Sequence, residues 1–149
     1  MSLRFTIDVG GDRIVDRTLS RLAGAVEDWT DAWPDIEDAL THEAAKQFDS
    51  QGEYGSNGWK RLSDSWLAYK ESHDLDTRIG RATGAMANSL CIKGAHQGIR
   101  ETAPGMFLFG STVPYLPHFT KLRPVMQLPE SGRREVQRRL QKFAMSVAD

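Results

Sequence analysis

The spacing of apolar residues changes period along this chain, and that change limits the fold more than any other feature. Leu3, Phe5, Ile7 and Val9 alternate with Arg4, Thr6 and Asp8, the period of a half-buried strand. Val15, Leu19, Leu22, Val26 and Trp29 then recur at steps of four and three, the stripe of an amphipathic helix. Ile36, Leu40, Ala44 and Phe48 repeat the helical step from about Pro34 to Phe48, with Pro34 suited to a first turn and Asp35, Glu37 and Asp38 suited to the positive end of the helix dipole. Thr30 to Trp33 either breaks these two helices or bends one long one. After Pro129, Val136, Leu140, Phe143 and Val147 mark the last helix, whose other side carries Arg133, Arg134, Arg138, Arg139 and Lys142. Glu130–Arg134 and Glu135–Arg139 are (i, i+4) pairs of about 0.3 kcal/mol each when exposed.

Between the helical ends lie shorter pieces. Residues 49–58 carry three glycines with Ser and Asn and read as a mobile loop. A short helix over about 63–71 is expected behind Ser63 as N-cap, and carries Trp66 and Tyr69. His73 to Gly80 reads as loop, and Arg81 to Leu90 as helix. A strand is expected at Cys91–Ile92. Ile99–Thr102 and Met106–Phe109 form a hairpin around Ala103-Pro104-Gly105, with Gly105 in the left-handed position. Pro114 and Pro117 predict an irregular, extended stretch over 110–120, and 123–128 reads as a final edge strand. The sum is one α+β domain over 1–149: two N-terminal amphipathic helices, a small mostly antiparallel sheet and a C-terminal helix.

Composition narrows the function classes. The chain of 149 residues is 40% hydrophobic and 26% charged, with a net charge of −1. That is an ordinary globular mix, and gives no support to free DNA binding. Residues 1–58 hold 12 acidic and 5 basic side chains, whereas 59–149 hold 8 and 14. The two signs either meet across one fold or form opposed faces suited to head-to-tail association or a charged partner. The single cysteine, Cys91, excludes an intrachain disulfide. No apolar run reaches the roughly 20 residues of a membrane span. Met1 to Gly10 carries Arg4 and Asp8 and does not read as a signal peptide.

No motif specifies chemistry. His42, His73, His96 and His118 have no metal-ligand spacing, and Cys91 has no Cys or His within three residues. Flanked by Leu90 and Ile92, Cys91 reads as a buried, inert thiol. Ser63, Ser65 and Ser89 lie in no nucleophile elbow, and no phosphate-binding glycine motif occurs. Asp31, Asp35, Glu37 and Asp38 read as helix-end charge rather than a general acid/base pair. Catalytic, cofactor-binding and metal-ligating residues are therefore not assigned. Trp59, Trp66 and Tyr69 around the glycine loop are candidates for core anchoring or for an interface. His118, in the proline-bounded stretch, is the histidine that merits attention. The basic face of the last helix, with Arg134 and Arg138, is solvated, or meets an acidic neighbour such as residues 27–43 of another subunit, or lines a passage for DNA.

An ordered set of short matches then points to a family. Gly58-Trp59-Lys60-Arg61-Leu62-Ser63 fits a Trp-x-x-Leu-Ser element, with Lys70 further on. Ile79 with Thr83-Gly84-x-Met86-x-x-Ser89-Leu90 fits Leu-x-x-Thr-Gly-x-Leu-x-x-Ser-Leu. Leu108-Phe109-Gly110-Ser111 with Tyr115, and Arg123-Pro124 with Leu128, complete the order. In this the chain resembles the phage virion morphogenesis family, the tail-completion proteins, over about 48–128. It departs from the family after Tyr115, where Leu116-Pro117-His118-Phe119-Thr120 replaces a His-Gln-x-Gly stretch. The resemblance implies a non-enzymatic structural protein, similar in fold to phage neck and tail-terminator subunits. Such a protein completes the head-proximal end of the tail and enables head–tail joining. It implies rings of copies, sixfold in the related subunits, touching the tail tube or terminator and the head-completion or connector proteins. DNA would pass without sequence-specific binding, and no membrane is involved. The expected location is the virion neck after assembly and the host bacterial cytoplasm during it. Tyr115 and His118 join the candidate interface on this reading. The alternative is a DNA-binding accessory protein that uses the basic last helix.

Overall fold

A computed structural model describes residues 3–8, 26–125 and 127–148 of the chain. It shows an α+β fold. Strand β1 spans Leu3–Asp8 and a 3-10 turn spans Thr30–Ala32. Helices α1 (Trp33–Asp49), α2 (Asp64–Ser72) and α3 (Ala85–Cys91) follow. Next come β2 (Gly98–Ala103), β3 (Met106–Ser111), α4 (Leu116–Leu122) and α5 (Glu130–Ala148).

Helix α1 is the axis of the core. Trp33, Ile36, Leu40, Ala44 and Phe48 are buried along its length, as the helical spacing predicts. It packs on α3, α5 and the sheet. The sheet is antiparallel with order β1-β3-β2. Strand β3 runs from Met106, opposite Asp8 and Ala103, to Ser111, opposite Leu3 and Gly98. As the central strand it buries Phe107, Leu108 and Phe109 in succession. Arg100 fastens the β2 edge. Its guanidinium lies 3.9 Å from the centroid of the Phe109 ring and donates to Glu37 at 3.1 Å. It also donates to the carbonyls of Gly110 and Ser89.

Several expectations change. Residues 9–25 lie outside the described part, so most of the helix expected over 15–29 does too. Its last turn, Val26–Trp29, is not helical. The Trp29 amide donates to the Pro104 carbonyl at 2.7 Å, which binds the chain to the hairpin instead of to a preceding helical turn. The hairpin connection has two residues, since Ala103 faces Met106, and Gly105 is not left-handed. Helix α3 starts at Ala85 rather than Arg81, because Gly84 takes a φ of +82°, outside the helical range. The strand expected at Cys91–Ile92 is instead the end of α3, with Ile92 as its C-cap.

The stretch over 110–120 is not irregular throughout. Gly110 and Ser111 complete β3, and Leu116–Leu122 is helical with Pro117 in the first turn, where a missing N–H breaks no intrahelical bond. No strand forms among the described residues of 123–128; the Pro124 carbonyl instead accepts from Trp59 and Gln47 side chains. In α5, Val136, Leu140 and Ala144 are buried, whereas Val147 is exposed. The loop after α1 carries internal bonds from Gly52 to Gln47, Ser56 to Gly52 and Trp59 to Gln51. Gly55 adds a bond to the Gln47 side chain.

Candidate interaction surface

Helix α2 is built inside out. Ser63 caps it, accepting from the Trp66 amide at 3.3 Å. The one residue it buries is Lys70, 1% exposed, while Trp66 and Tyr69 are 43% and 45% exposed. Trp66, Tyr69 and His73 form an outward stack. The Trp66 and Tyr69 centroids are 5.1 Å apart with planes 8° from parallel, and Tyr69 and His73 are 3.8 Å apart. Steps of three and four place these rings on one side of the helix. Lys70 turns the other way and donates to the Arg78 carbonyl at 2.9 Å. Burial pushes the Lys70 amine below its ordinary pKa, and nearby Arg123 adds to this, against the pull of Asp76.

Arg123, just past α4, ties the end of α4 to the segment that precedes α2. Its guanidinium donates to the carbonyls of Lys60 at 2.7 Å and Arg61 at 3.3 Å, and lies over the Phe119 ring. Burial lowers its pKa from the usual arginine value. Among the described residues, Lys60, Arg61, Lys121 and Arg123 form no salt bridge. Glu53, Asp64, Glu71 and Asp74 are exposed in the same region and likewise form no salt bridge among the described residues, so cations and acids alternate there. Under α2 runs a cleft of ≈ 400 Å³, lined by Gln51, Trp59, Arg61, Leu67 and Ile79 among others.

Four ion pairs among the described residues cross between the acidic and the basic part of the chain. Arg81–Asp49, Lys93–Asp38, Arg100–Glu37 and Arg139–Asp35 each link the two parts. The basic face of α5 is engaged in part, while Arg133 and Lys142 on it are exposed and form no salt bridge among the described residues. Arg134 pairs with Glu130, Arg138 with Glu135, and Arg139 with both Glu135 and Asp35. The acidic stretch offered to another subunit on the sequence reading therefore already meets α5 within one chain at Asp35.

The sequence-derived candidates separate accordingly. Trp66 and Tyr69 come together on α2. Trp59 is a core residue, edge-on to Phe48 at 5.1 Å and to Phe119 at 5.3 Å, with its indole N–H donating to the Pro124 carbonyl at 2.8 Å. Tyr115 caps α4 and is exposed, as is His118 within it. Arg134 and Arg138 lie on α5, away from this aromatic helix in sequence. Lys70, Arg61 and Arg123 enter the sequence reading only within the family match and His73 only as a loop histidine, none of them as an interface candidate. The Trp66, Tyr69, His73 spacing marks a stripe, but a stripe of aromatics reads equally as a buried face.

Among the described residues, no group of three or more His, Cys, Asp or Glu could hold a metal ion. Also among them, no helix is long and apolar enough to cross a membrane. The Cys91 thiol is half-buried, and burial pushes its pKa up to about 12. No family model, curated protein or solved structure matches the chain.

Proposed function

We propose that this chain is a structural assembly subunit of a tailed phage or prophage, one that completes the head-proximal end of the tail. The observation that carries a binding role is the inverted helix α2. A helix that buries a lysine and exposes a stacked tryptophan and tyrosine gives up burial energy of the kind that drives folding. Those rings regain it when a protein partner covers them, and Trp, Tyr and Arg are the residue types that dominate such contacts.

The tail-completion assignment itself rests on the ordered resemblance from Trp59 to Leu128. Several of those positions have packing or capping roles in this fold. Trp59, Ile79, Met86 and Leu90 are buried in the core, and Leu62 and Leu128 pack against it. Ser89 bonds to Ser111 at 2.6 Å, and Gly84 takes the left-handed turn ahead of α3. A motif made of such positions speaks for a shared fold, and the exposed aromatic helix supports an assembly role within it. The DNA-binding alternative, through α5, rests on Arg133 and Lys142, which are exposed, and on Arg134, Arg138 and Arg139, which are each in ion pairs.

Deletion of the gene from its phage tests the proposal. The expected result is an accumulation of filled heads and unattached tails. Normal infectious particles from the deletion would overturn it.

A further inference from the structure

The loop after α1 leaves one dipeptide out of its own hydrogen bonding. From Ser50 to Ser56 every backbone amide donates, either within the loop or to the last turn of α1. The Trp59 amide donates to the Gln51 carbonyl at 2.8 Å and closes the loop. Between them, the amides of Asn57 and Gly58 donate to nothing among the described residues, and the Asn57 side chain makes no hydrogen bond there either. Asn57 is exposed. Gly58 has φ +93°, and a Cβ on it would meet only Glu53 Cγ, at 3.6 Å. The turn thus asks for glycine through its backbone angle rather than through packing. Glycine also leaves its amide nitrogen unshielded by a side chain.

We propose that Asn57 is a site of self-modification, at which the side-chain amide is lost through attack by the Gly58 amide nitrogen. A bond forms from that nitrogen to the side-chain carbonyl carbon of Asn57 and closes a five-membered succinimide. The bond from this carbon to the side-chain nitrogen breaks, and the nitrogen leaves as ammonia with the Gly58 N–H proton. Water then opens the ring at either carbonyl. One opening leaves aspartate, and the other leaves isoaspartate, in which the backbone runs through the former side chain. Nothing is oxidised or reduced, and water is the one co-reactant. Asparagine counts among the thermolabile residues. Either product puts a carboxylate on the wall of the cleft under α2, which Asn57 shares with Glu53 and Arg61. None of this depends on the assembly role.

The chain carries its own control. Its other asparagine, Asn88, is exposed as well. The next amide there belongs to Ser89, which is 1% exposed and lies inside helix α3. Attack at Asn88 therefore requires the helix to open, whereas attack at Asn57 breaks no hydrogen bond of the loop.

Ageing of the full chain at mildly alkaline pH, folded and in urea, tests the proposal. Tryptic peptides are followed by mass spectrometry, with aspartate and isoaspartate separated; Lys60 and Arg81 place the two asparagines in different peptides. Folded Asn57 is expected to convert within about tenfold of its rate in urea, as in a segment that opens at almost no cost, and to yield both acids. Folded Asn88 is expected to convert at least about tenfold more slowly than in urea. Gly58→Ala is expected to slow conversion. Because that change strains the turn, Asn57→Gln is measured beside it. Its cyclisation needs a six-membered ring, so it is expected to keep its amide while melting like the wild type. An Asn57 that keeps its amide in the folded chain while losing it in urea would overturn the proposal. So would aspartate as the sole product, which means direct attack by water, or equal conversion of the two asparagines in the folded chain.

Discussion

Lys70 donates to the carbonyl oxygen of Arg78 at 2.9 Å from a side chain that is 1% exposed. This bond, with the Leu75 amide donating back to the Lys70 carbonyl at 2.9 Å, pins α2 to the loop that follows it. The lysine stem packs inward while the ammonium meets a single backbone acceptor, so its charge is poorly compensated. Lys70→Ala removes stem and bond together and is expected to cost about 2–3 kcal/mol. Lys70→Met keeps the stem and removes the charge, and is expected to fall within about 1 kcal/mol of wild type. Burial lowers the folded-state pKa below 10.5. The unfolded chain therefore holds this proton more tightly, and stability from this site rises with pH in the alkaline range below 10.5. Urea titrations of wild type and Lys70→Met at two alkaline pH values check the sign; a pH dependence identical in both would refute it.

Trp59 and Gly52 form a second pairing with a measurable consequence. Gly52 has φ +90°, and a Cβ there would land among the Trp59 ring atoms. Gly52→Ala is thus both conformationally strained and blocked, and is expected to lose more than about 2 kcal/mol. Trp59→Ala opens a cavity between Phe48 and Phe119 and frees the Pro124 carbonyl, with an expected loss of about 3–5 kcal/mol. Trp59→Phe keeps most of the packing and loses the indole bond, about 1 kcal/mol. Chemical denaturation ranks the three. An alanine at 52 as stable as the wild type would mean that the loop can move away from the indole.

Trp59 also shows where sequence reading stops. Trp59 and Trp66 are seven residues apart and were grouped as candidates, yet one is core and the other surface. Periodicity says which residues share a face, and the tertiary fold decides whether that face is covered. Helices α1 and α5 were readable because long stripes carry many agreeing positions, and the Ser63 cap because its signal is local. The start of α3 was not, since the +4 spacing of Ala82, Met86 and Leu90 runs back past Gly84 and only the left-handed φ there excludes the first turn. Pro117 read as a breaker, but in a first turn it breaks nothing. Glu130–Arg134 and Glu135–Arg139 were visible as local pairs. Asp35 as partner of Arg139 lies 104 positions away, beyond any local pattern.

Cys91 offers a test of burial at the end of α3. Its thiol is pushed up to about 12 by burial, with Arg81 and Arg100 pulling weakly the other way. At pH 8 the thiol is then almost wholly protonated, and only the thiolate reacts. Alkylation of the folded protein by iodoacetamide is expected to be at least about tenfold slower than in urea. Equal rates would show that the α3 end opens readily to solvent.

Glu135 sets the acid side of the stability curve. It accepts from Arg138 at 2.7 Å and from Arg139 at 2.8 Å, and these bonds, Arg138 first, hold its carboxyl down from 4.5 to about 2. Arg139 in turn reaches Asp35 at 2.7 Å, so the cluster ties α5 to the first turn of α1. A depressed carboxyl means that the unfolded chain takes up the proton first as the pH falls. The stabilising contribution is present above about 4.5 and is lost as the pH drops toward about 2. Asp76, held to about 2 by Arg78, acts in the same window. Glu135→Gln is therefore expected to flatten part of the acid limb, and Glu135→Gln with Asp76→Asn to flatten more. Urea midpoints followed from neutral pH downward read this directly. Because both carboxylates remain partly exposed, salt should shrink the wild-type slope and leave the double variant almost unchanged. An acid limb that the double variant leaves as steep as before would assign acid unfolding to other carboxylates.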